Sequence, residues 1–450
     1  MLSPQIFRRE TMRKLRFKKS VGLVLLSALL FRAVTLEAAS INSVPIDDYG
    51  SLLTLSEAMS RTLESDARVK EAVERLEKEK SLYKSKRAEF FPTISTDLFQ
   101  AAATGARKSL TYFNTSITQP LFQGGKLRAE KARQETRVKQ EELRLEEVKL
   151  DLKLNTEILY AQALQEKELT RLSQKMVKEL GKHYQAVKAL HKKELTTNYE
   201  LLHVETLLAK AKQGLVKHKE TYDYLIGFLK TLLGIGDSES LDLEPLKDVP
   251  ALDEEAHVYL DSSKRDPLYQ IKELQVEEKG FEKRSLQADR FPHVGLVAKT
   301  DVSRDIYVDT NRFVLGVGVK WDIWDFGKLG NQIKAKSHEI EETKWAGKAE
   351  IQEKERKIRK LFHAARALKE KIRLSETLII EREEGYKNEK VRIIAGDKGT
   401  EEALDSFLAL QQAYGEQVNA VTEYRIAVSS LKRQAAIEVE TAPKEVGEPS

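Results

Sequence analysis

The stretch Leu-Phe-Gln-Gly-Gly-Lys-Leu at residues 121–127 returns as Ile-Trp-Asp-Phe-Gly-Lys-Leu at residues 323–329. Further landmarks recur in the same order at an offset of 200 residues: Ser65-Asp66-Ala67 with Arg265-Asp266-Pro267, Phe91-Pro92 with Phe291-Pro292, and Tyr224 with Tyr424. Repetition at a fixed spacing indicates that one structural unit occurs twice. We therefore predict two related halves, residues 50–236 and 251–438, joined by a linker at 237–250.

Each half is predicted to place a β-hairpin between helices. Pro92 and Pro292 end charged helical stretches, because proline lacks an N–H donor and disfavours helical geometry in the residue before it. Extended patterns follow in pairs, at 93–102 and 110–121 in the first half and at 293–302 and 312–323 in the second. The hairpins thus span 93–121 and 293–323, and their strands have the ~9–11 residues that a tilted strand needs to cross a bilayer.

The second hairpin alternates in polarity as a membrane strand does. Leu315, Val317 and Val319 are separated by Gly316 and Gly318, so that one face is apolar and the other is small or polar. The first hairpin is less regular and, taken alone, also fits an ordinary half-buried hairpin of a soluble protein. Four strands cannot close a barrel, and an open edge in lipid costs several kcal/mol for each unsatisfied backbone group. Several chains must therefore combine, and three copies give a 12-stranded trimeric β-barrel.

The longest helical stretches follow the hairpins, at 126–234 and 328–436. Each has a weak point near its middle, at Leu195–Asn198 and at Ala395–Thr400, where a helix pair is predicted to turn. The longer helix of each pair then has ~65–70 residues and a length of roughly 100 Å at ~1.5 Å per residue. Helices of this length are typical of a structure that crosses a wide aqueous space, and the predicted fold class is mainly α with a membrane β-barrel.

The N-terminus has the order of a secretory signal peptide. A basic region ends at Lys18-Lys19, an apolar run occupies residues 21–31, and small residues follow at Ala38-Ala39-Ser40. We predict a signal peptide over residues 1–39; an uncleaved membrane anchor is the alternative. No later run of about 20 apolar residues occurs, so any membrane crossing by the mature chain is expected to use strands.

Composition excludes several kinds of function. Residues 1–40 contain eight Lys/Arg and two acidic residues and therefore carry a net charge of +6. Because the whole chain carries +5, the remaining residues carry −1. A nearly neutral mature chain has no electrostatic footprint for nucleic acid. The absence of cysteine excludes disulfides, thiol catalysis and thiolate metal sites. The tail, residues 439–450, is rich in Pro, Gly and Glu and is predicted to be disordered.

Several motifs resemble those of the TolC-type outer-membrane efflux proteins. They are Leu53–Ala58 at the opening, Phe91–Ile94 entering the first hairpin, Gln119–Gly125 leaving it, Leu232–Gly234 closing the first half, and Trp321–Gly327 at the second strand exit. Each motif is weak singly, but their order over residues 50–438 makes the resemblance specific.

This resemblance implies a homotrimer in the outer membrane whose helices extend into the periplasm. It implies a passive exit duct of a tripartite efflux or type I secretion system, gated at its periplasmic tip and embedded in outer-membrane lipid. The implied partners are a periplasmic adaptor protein and an inner-membrane pump, with no nucleic acid. It also implies that the protein is not an enzyme and uses no cofactor.

The resemblance places a gate in the tip turn of the second half. Lys398, Glu402 and Asp405 occupy the stretch where family members carry a basic residue and acids. A Lys reaching an acid on a neighbouring helix would hold a closed aperture by salt-sensitive contacts. The alternative is a solvated helix start with acids near its N-terminus, where they are favoured anyway. The first half departs from the family, because it has no glycine in its tip stretch 191–197.

Two further groups of residues are predicted to mark the membrane boundary. Gly124, Gly125 and Gly327 lie at the turns from strand to helix, where a residue without Cβ adopts any backbone angle. Trp321 and Trp324 are predicted to be aromatic anchors at the membrane interface, and tryptophans of a soluble core are the alternative.

The remaining motifs do not support catalysis or ligand binding. Gly124-Gly125-Lys126 and Gly396–Thr400 lack the spacing of a phosphate-binding loop. The eight histidines are scattered without an i, i+4 pair, and no nucleophile motif occurs, so we predict neither a metal site nor a catalytic residue. Two other functions remain open: a periplasmic adaptor, which would have one helical hairpin between compact β domains, and a soluble coiled-coil scaffold.

Overall fold

The computed structural model describes residues 52–102, 109–246, 249–253, 255–304, 309–394 and 400–437. The predicted signal peptide, the predicted tail and Lys398 lie outside these residues. Within them, the predicted combination of long helices with four strands is confirmed.

The two halves contain the same elements in the same order. The first half has α1 (Leu55–Ser65), α2 (Ala67–Ala88), β1 (Thr93–Ala102), β2 (Ser109–Gln123), α3 (Lys126–His191) and α4 (Asn198–Leu233). The second half has α5 (Ala256–Ser263), α6 (Pro267–Ala288), β3 (His293–Arg304), β4 (Asp309–Lys320), α7 (Lys328–Ile394) and α8 (Thr400–Gln434). Both α3 and α7 extend for about 100 Å at ~1.5 Å per residue.

The helix ends follow local side-chain chemistry. The helical stretch before Pro92 is divided into α1 and α2, because Asp66 has an extended backbone and its carboxylate accepts the N–H of Arg68 at 2.7 Å. This is an N-cap, which satisfies a donor that has no partner within the helix. Asp266 caps α6 in the same way through the N–H of Leu268 at 3.0 Å.

The four strands form one antiparallel sheet in the order β1-β2-β3-β4. The predicted second hairpin ended at residue 323, whereas β4 ends at Lys320, which lies opposite the first residue of β3, His293. Residues 321–323 therefore have no neighbouring strand among the residues that the structure describes. Its counterpart β2 continues to Gln123, past the predicted end at 121, because β3 lies beside it there.

Helix contacts arrange the long helices side by side. Near the strands the order is α2, α3, α6, α7, and towards the tips it is α4, α3, α8, α7. In both rows α3 occupies an inner position, and α7 lies at an end. In the described part of the chain, no helix is apolar over enough of its length to cross a bilayer.

The two halves are joined where the linker passes over the middle of the helices. Tyr160 of α3 is fully buried, and its hydroxyl donates to the backbone carbonyls of Leu53 at 2.7 Å and Glu244 at 2.8 Å. Leu243 of the linker is also fully buried in this cluster. Tyr424, the counterpart of Tyr224, donates to the carbonyl of Pro250 at 3.0 Å. Side chains from both halves therefore hold the linker in place.

The second half has a buried charge network at the N-terminus of α6. Asp266 is fully buried, and one of its carboxylate oxygens accepts from Lys354 of α7 at 2.6 Å and from Arg433 of α8 at 2.9 Å. Arg433 also pairs with Asp151 of α3 at 2.7 Å. Burial lowers the pKa of Lys354 and raises the pKa of the neighbouring Glu147. The Asp266 carboxylate therefore joins α6 to α7 and α8, and Arg433 extends the network to α3 through Asp151.

This network predicts unequal effects of one substitution at the two repeated positions. Asp266→Ala leaves Lys354 buried without its carboxylate and leaves Arg433 with Asp151 as its remaining partner, and we expect it to lower the free energy of unfolding by about 3–5 kcal/mol. Asp66→Ala is the matched control, because Arg68 is half exposed, and the loss of the cap there costs about 1 kcal/mol. Thermal unfolding of the helical circular dichroism signal in detergent measures both, and equal losses would contradict the role of the network.

Candidate functional site

One face of the sheet is apolar and exposed. The register aligns Ile94, Ile117, Ala298 and Leu315 across all four strands. Other apolar side chains on this face are Leu98, Phe113, Phe122, Leu296, Phe313, Val317 and Val319. Several are more than 60% exposed, including Leu98 at 71% and Phe313 at 73%. An exposed apolar patch of this kind marks a surface that contacts lipid or another protein.

The opposite face is mainly polar. A row of side chains crosses the sheet through Asp97, Asn114, Asp301 and Arg312. Asp301 accepts from the hydroxyl of Tyr112 at 3.1 Å, and Lys299 lies 3.1 Å from the same carboxylate oxygen. Cross-strand pairs of opposite charge and hydrogen-bonding pairs stabilise a sheet on the face that meets water. The predicted alternation is therefore clear in the second hairpin. The first hairpin stays less regular, because Thr96 and Thr115 lie on the apolar face and Phe99 lies on the polar one.

The strand ends carry the two predicted tryptophans. Trp321 is half exposed, and its ring N–H donates to the carbonyl of Arg290 at 3.1 Å. Gln119 makes the equivalent bond in the first half, to Phe90, at 3.0 Å. Trp324 is 77% exposed, so it is not part of a core in this chain. Its assignment as an anchor at the membrane interface stays a prediction.

The predicted turn glycines all have left-handed backbones. The φ angles are +60° at Gly124, +91° at Gly125 and +85° at Gly327. The reason differs among them. A Cβ at Gly124 would lie 2.3 Å from the carbonyl oxygen of Ala288 and 3.0 Å from the Cβ of Phe291, so the turn packs directly on the end of α6. At Gly327 the nearest atom of this chain is 4.0 Å away.

Phe326 is the residue of this turn whose role was not predicted from the sequence. It takes the position of Gly124 in the second half, with φ at +55°, and it is 91% exposed. A left-handed backbone costs a residue with a Cβ roughly 1–2 kcal/mol. Asp325 holds the turn, because its carboxylate accepts the N–H groups of Gly327 at 3.0 Å and Leu329 at 2.6 Å. The signal was available in the alignment of the repeats, where an aromatic residue replaces a glycine.

The helix tips carry the predicted gate residues. Glu402 and Asp405 lie in the first turns of α8 and are exposed. Leu404 between them packs into a cluster with Leu180 of α3 and Val204 of α4. The two acids therefore lie on the side of α8 that faces away from these helices. Lys398 lies outside the residues that the structure describes, so its distance from the acids stays untested.

At the tip of the first half, where the sequence has no glycine, another residue adopts the left-handed backbone. Glu194 adopts a left-handed backbone with φ at +58°. The turn is closed by hydrogen bonds from the N–H of Glu194 to the carbonyl of His191 at 2.9 Å and from Leu195 to Leu190 at 3.1 Å. Thr197 then caps α4 by accepting the N–H of Glu200 at 3.2 Å.

The comparisons with known proteins agree with this geometry. Residues 58–234 match the family model of the outer membrane efflux protein. No curated protein sequence matches the chain.

Several solved structures share the fold over most of the chain. The MtrE outer membrane channel of Neisseria gonorrhoeae in its open state is 15% identical, with a TM-score of 0.74, and the match covers 85% of this chain and 89% of that one. The CmeC outer membrane channel of Campylobacter jejuni is 13% identical at a TM-score of 0.72, covering 85% of each chain. The outer membrane protein VceC of Vibrio cholerae is 13% identical at a TM-score of 0.70, covering 85% and 95%.

The turn glycines predict different tolerances to a methyl group. We expect Gly124→Ala to disrupt the packing of β2 and α3 on α6, because the new Cβ meets a backbone carbonyl that cannot move aside. Gly327→Ala is the control: it has a similar φ and open space, so it costs only the roughly 1–2 kcal/mol of the left-handed backbone. Yield of folded protein in the membrane fraction and its thermal midpoint compare the two variants. A Gly124→Ala protein as stable as Gly327→Ala would contradict the close packing.

Proposed function

We propose that this chain is an outer membrane efflux protein, a family whose model matches residues 58–234, and that three copies form a channel that starts in the outer membrane and continues as a tunnel of helices into the periplasm. The observation that carries this proposal is the four-stranded sheet with an exposed apolar face. Its outer strands, β1 and β4, each have one edge without a partner in the described part of the chain. A strand edge in lipid requires a partner, and a neighbouring copy supplies it.

The position at which β4 ends supports closure of the barrel by further copies. Strand β2 extends to Gln123 because β3 lies beside it, whereas β4 stops at Lys320 where its own hairpin ends. The repeat makes β4 the counterpart of β2 and β1 the counterpart of β3. If β4 of one copy pairs with β1 of the next as β2 pairs with β3, Val319 of one copy lies beside Leu98 of the next. Both side chains lie on the apolar face and are more than 60% exposed. Residues 321–323 then gain a neighbour in β1 of that copy.

The helices supply the second part of the duct. At about 100 Å, α3 and α7 are far longer than a compact domain needs. Packed side by side with α4 and α8, they form one third of a tube wall. We propose that a periplasmic adaptor and an inner-membrane pump complete the pathway, and that the channel transports passively. Proteins of this family catalyse no reaction, in agreement with the prediction made from the sequence.

The assembly is tested by fractionation and conductance. We expect a heat-resistant trimer in detergent extracts of the outer membrane, and ion-conducting pores when that trimer is added to a planar lipid bilayer. A scaffold would be released without detergent as a monomer or dimer, and an adaptor would fractionate with the inner membrane and form no pores. Either result would overturn the proposal.

The tip residues are tested separately. We propose that Lys398, Glu402 and Asp405 hold the periplasmic end closed by charge contacts between neighbouring helices. Removal of one charge weakens these contacts, so Lys398→Glu and Asp405→Ala should each raise single-channel conductance. High salt should raise the conductance of the unmodified protein by more than it raises the conductivity of the solution. Glu416→Ala, an exposed acid of α8 further from the tip, is the matched control and should leave conductance unchanged. Unchanged conductance in both tip variants would argue for a solvated helix start.

A further inference from the structure

The seam between α3 and α6 joins the two halves within one chain. Lys126 pairs with Asp289 at 2.9 Å, beside the turn of Gly124. One turn further along, Ser285 donates to Glu130 at 3.3 Å. The next contacts are Arg133 with Glu282 at 3.9 Å and Arg137 with Glu278 at 2.5 Å. These four pairs define the register of the two helices.

The repeat assigns a counterpart to every residue of this seam. The first residue of α3 is Lys126 and that of α7 is Lys328, while α6 ends at Ala288 and α2 at Ala88. The counterpart of the α3·α6 seam is therefore a seam between α7 and α2. Within one chain these two helices are the outer members of the row α2, α3, α6, α7, so they meet only if α2 belongs to another copy.

The counterpart residues are complementary although most have changed. Lys126 with Asp289 becomes Lys328 with Glu89, an ion pair of the same sense. The other three pairs become Gln332 with Ser85, Ala335 with Leu82, and Glu339 with Lys78. A charged pair has thus become an apolar pair, and in the last pair the two charges have exchanged helices. All of these side chains except the partly buried Glu339 are exposed, including Leu82 at 44%.

We propose that α7 of one copy packs on α2 of the next in this register, with Lys328 against Glu89, Ala335 against Leu82 and Glu339 against Lys78 of the neighbouring copy. This inference rests on the proposed assembly of three copies and adds the surface through which they join. The partner is a second copy of this chain, because the complementary residues lie on the two ends of one row of helices. A contact between unlike surfaces closes into a ring when the rotation permits it.

The exchanged charges decide which helices meet. Packing of α7 on α6 of another copy would place Glu339 against Glu278. Packing of α3 on α2 of another copy would place Arg137 against Lys78. Both wrong seams bring like charges together, whereas the seam within the chain and the proposed seam between copies each bring opposite charges together. The two halves must therefore alternate around the ring.

Phe326 makes the seam between copies different from the seam within the chain. In the same register it faces Ala88 and Phe91 of the neighbouring copy, as Gly124 faces Ala288 and Phe291. A Cβ placed as at Gly124 would lie 2.3 Å from a carbonyl oxygen, so the close contact of the glycine is not repeated. The Phe326 ring, 91% exposed in one chain, instead packs against Phe91 of the neighbour, which is 61% exposed.

A charge exchange tests the proposed pair. Lys78→Glu and Glu339→Lys should each reduce the fraction of trimer that survives heating in SDS, and the double variant should recover it. Glu339 also pairs with Lys279 and Lys336 of its own chain, at 2.6 Å and 2.5 Å, so Glu339→Lys alone has a local effect. In the double variant, Lys78→Glu restores the trimer lost through Glu339→Lys only if residues 78 and 339 contact each other between copies. A double variant no better than the worse single variant would overturn the pair.

Cysteine pairs test the register, because the chain contains no cysteine of its own. Leu82→Cys with Ala335→Cys should link chains to one another on mild oxidation faster than a pair out of register, because the proposed register brings these two positions together. Leu82→Cys with Glu342→Cys is the control, two helical turns or about 10 Å out of register, and should not link. A stable trimer that links only through the control pair would overturn the register and leave the channel intact. Absence of any trimer would overturn the proposed assembly itself.

Discussion

The structure depends on the need of every strand edge in a bilayer for a partner. The described part of the chain forms a sheet of four strands with an apolar face and two open edges, which would be incomplete in the proposed membrane setting. Other features follow from this requirement. Strand β4 ends where its own hairpin ends, exposed aromatic residues collect at the strand ends, and α2 and α7 leave complementary surfaces uncovered at the two ends of a row of helices. In the proposed assembly, a second copy of the same chain satisfies all three.

Much of the fold was predictable because the two halves of the sequence encode the same structure, so that each half supports the prediction made for the other. The start of β1 at Thr93 and of β3 at His293 follows directly from the prolines before them, and the start of α3 and α7 follows from the glycines. The end of β4 was not predictable in this way. Trp321-Asp322-Ile323 has the pattern of a strand, but a strand forms only where a neighbour offers hydrogen bonds. Local sequence does not state whether that neighbour belongs to the same chain.

The site was less predictable because its residues gain their role from contacts across the sequence. Asp66 and Asp266 occupy the same position of the repeat and cap their helices alike. Only the structure distinguishes them, since Lys354 and Arg433 approach Asp266 from helices far along the chain, while Asp66 keeps a local partner. The same holds for Glu402 and Asp405, whose exposure follows from the packing of Leu404 rather than from their own spacing.

The differences between the halves carry more information than their similarities. If the two seams were identical, nothing would distinguish α2 from α6, and six equivalent units would join in any order. The exchange of Arg137 and Glu278 for Glu339 and Lys78 removes that freedom, because a wrong neighbour meets a like charge. Phe326 adds a second distinction by replacing the glycine that permits the closest approach. In the proposed ring, a chain that duplicates one unit thus keeps the geometry needed for closure, while the altered residues make each half recognise the other.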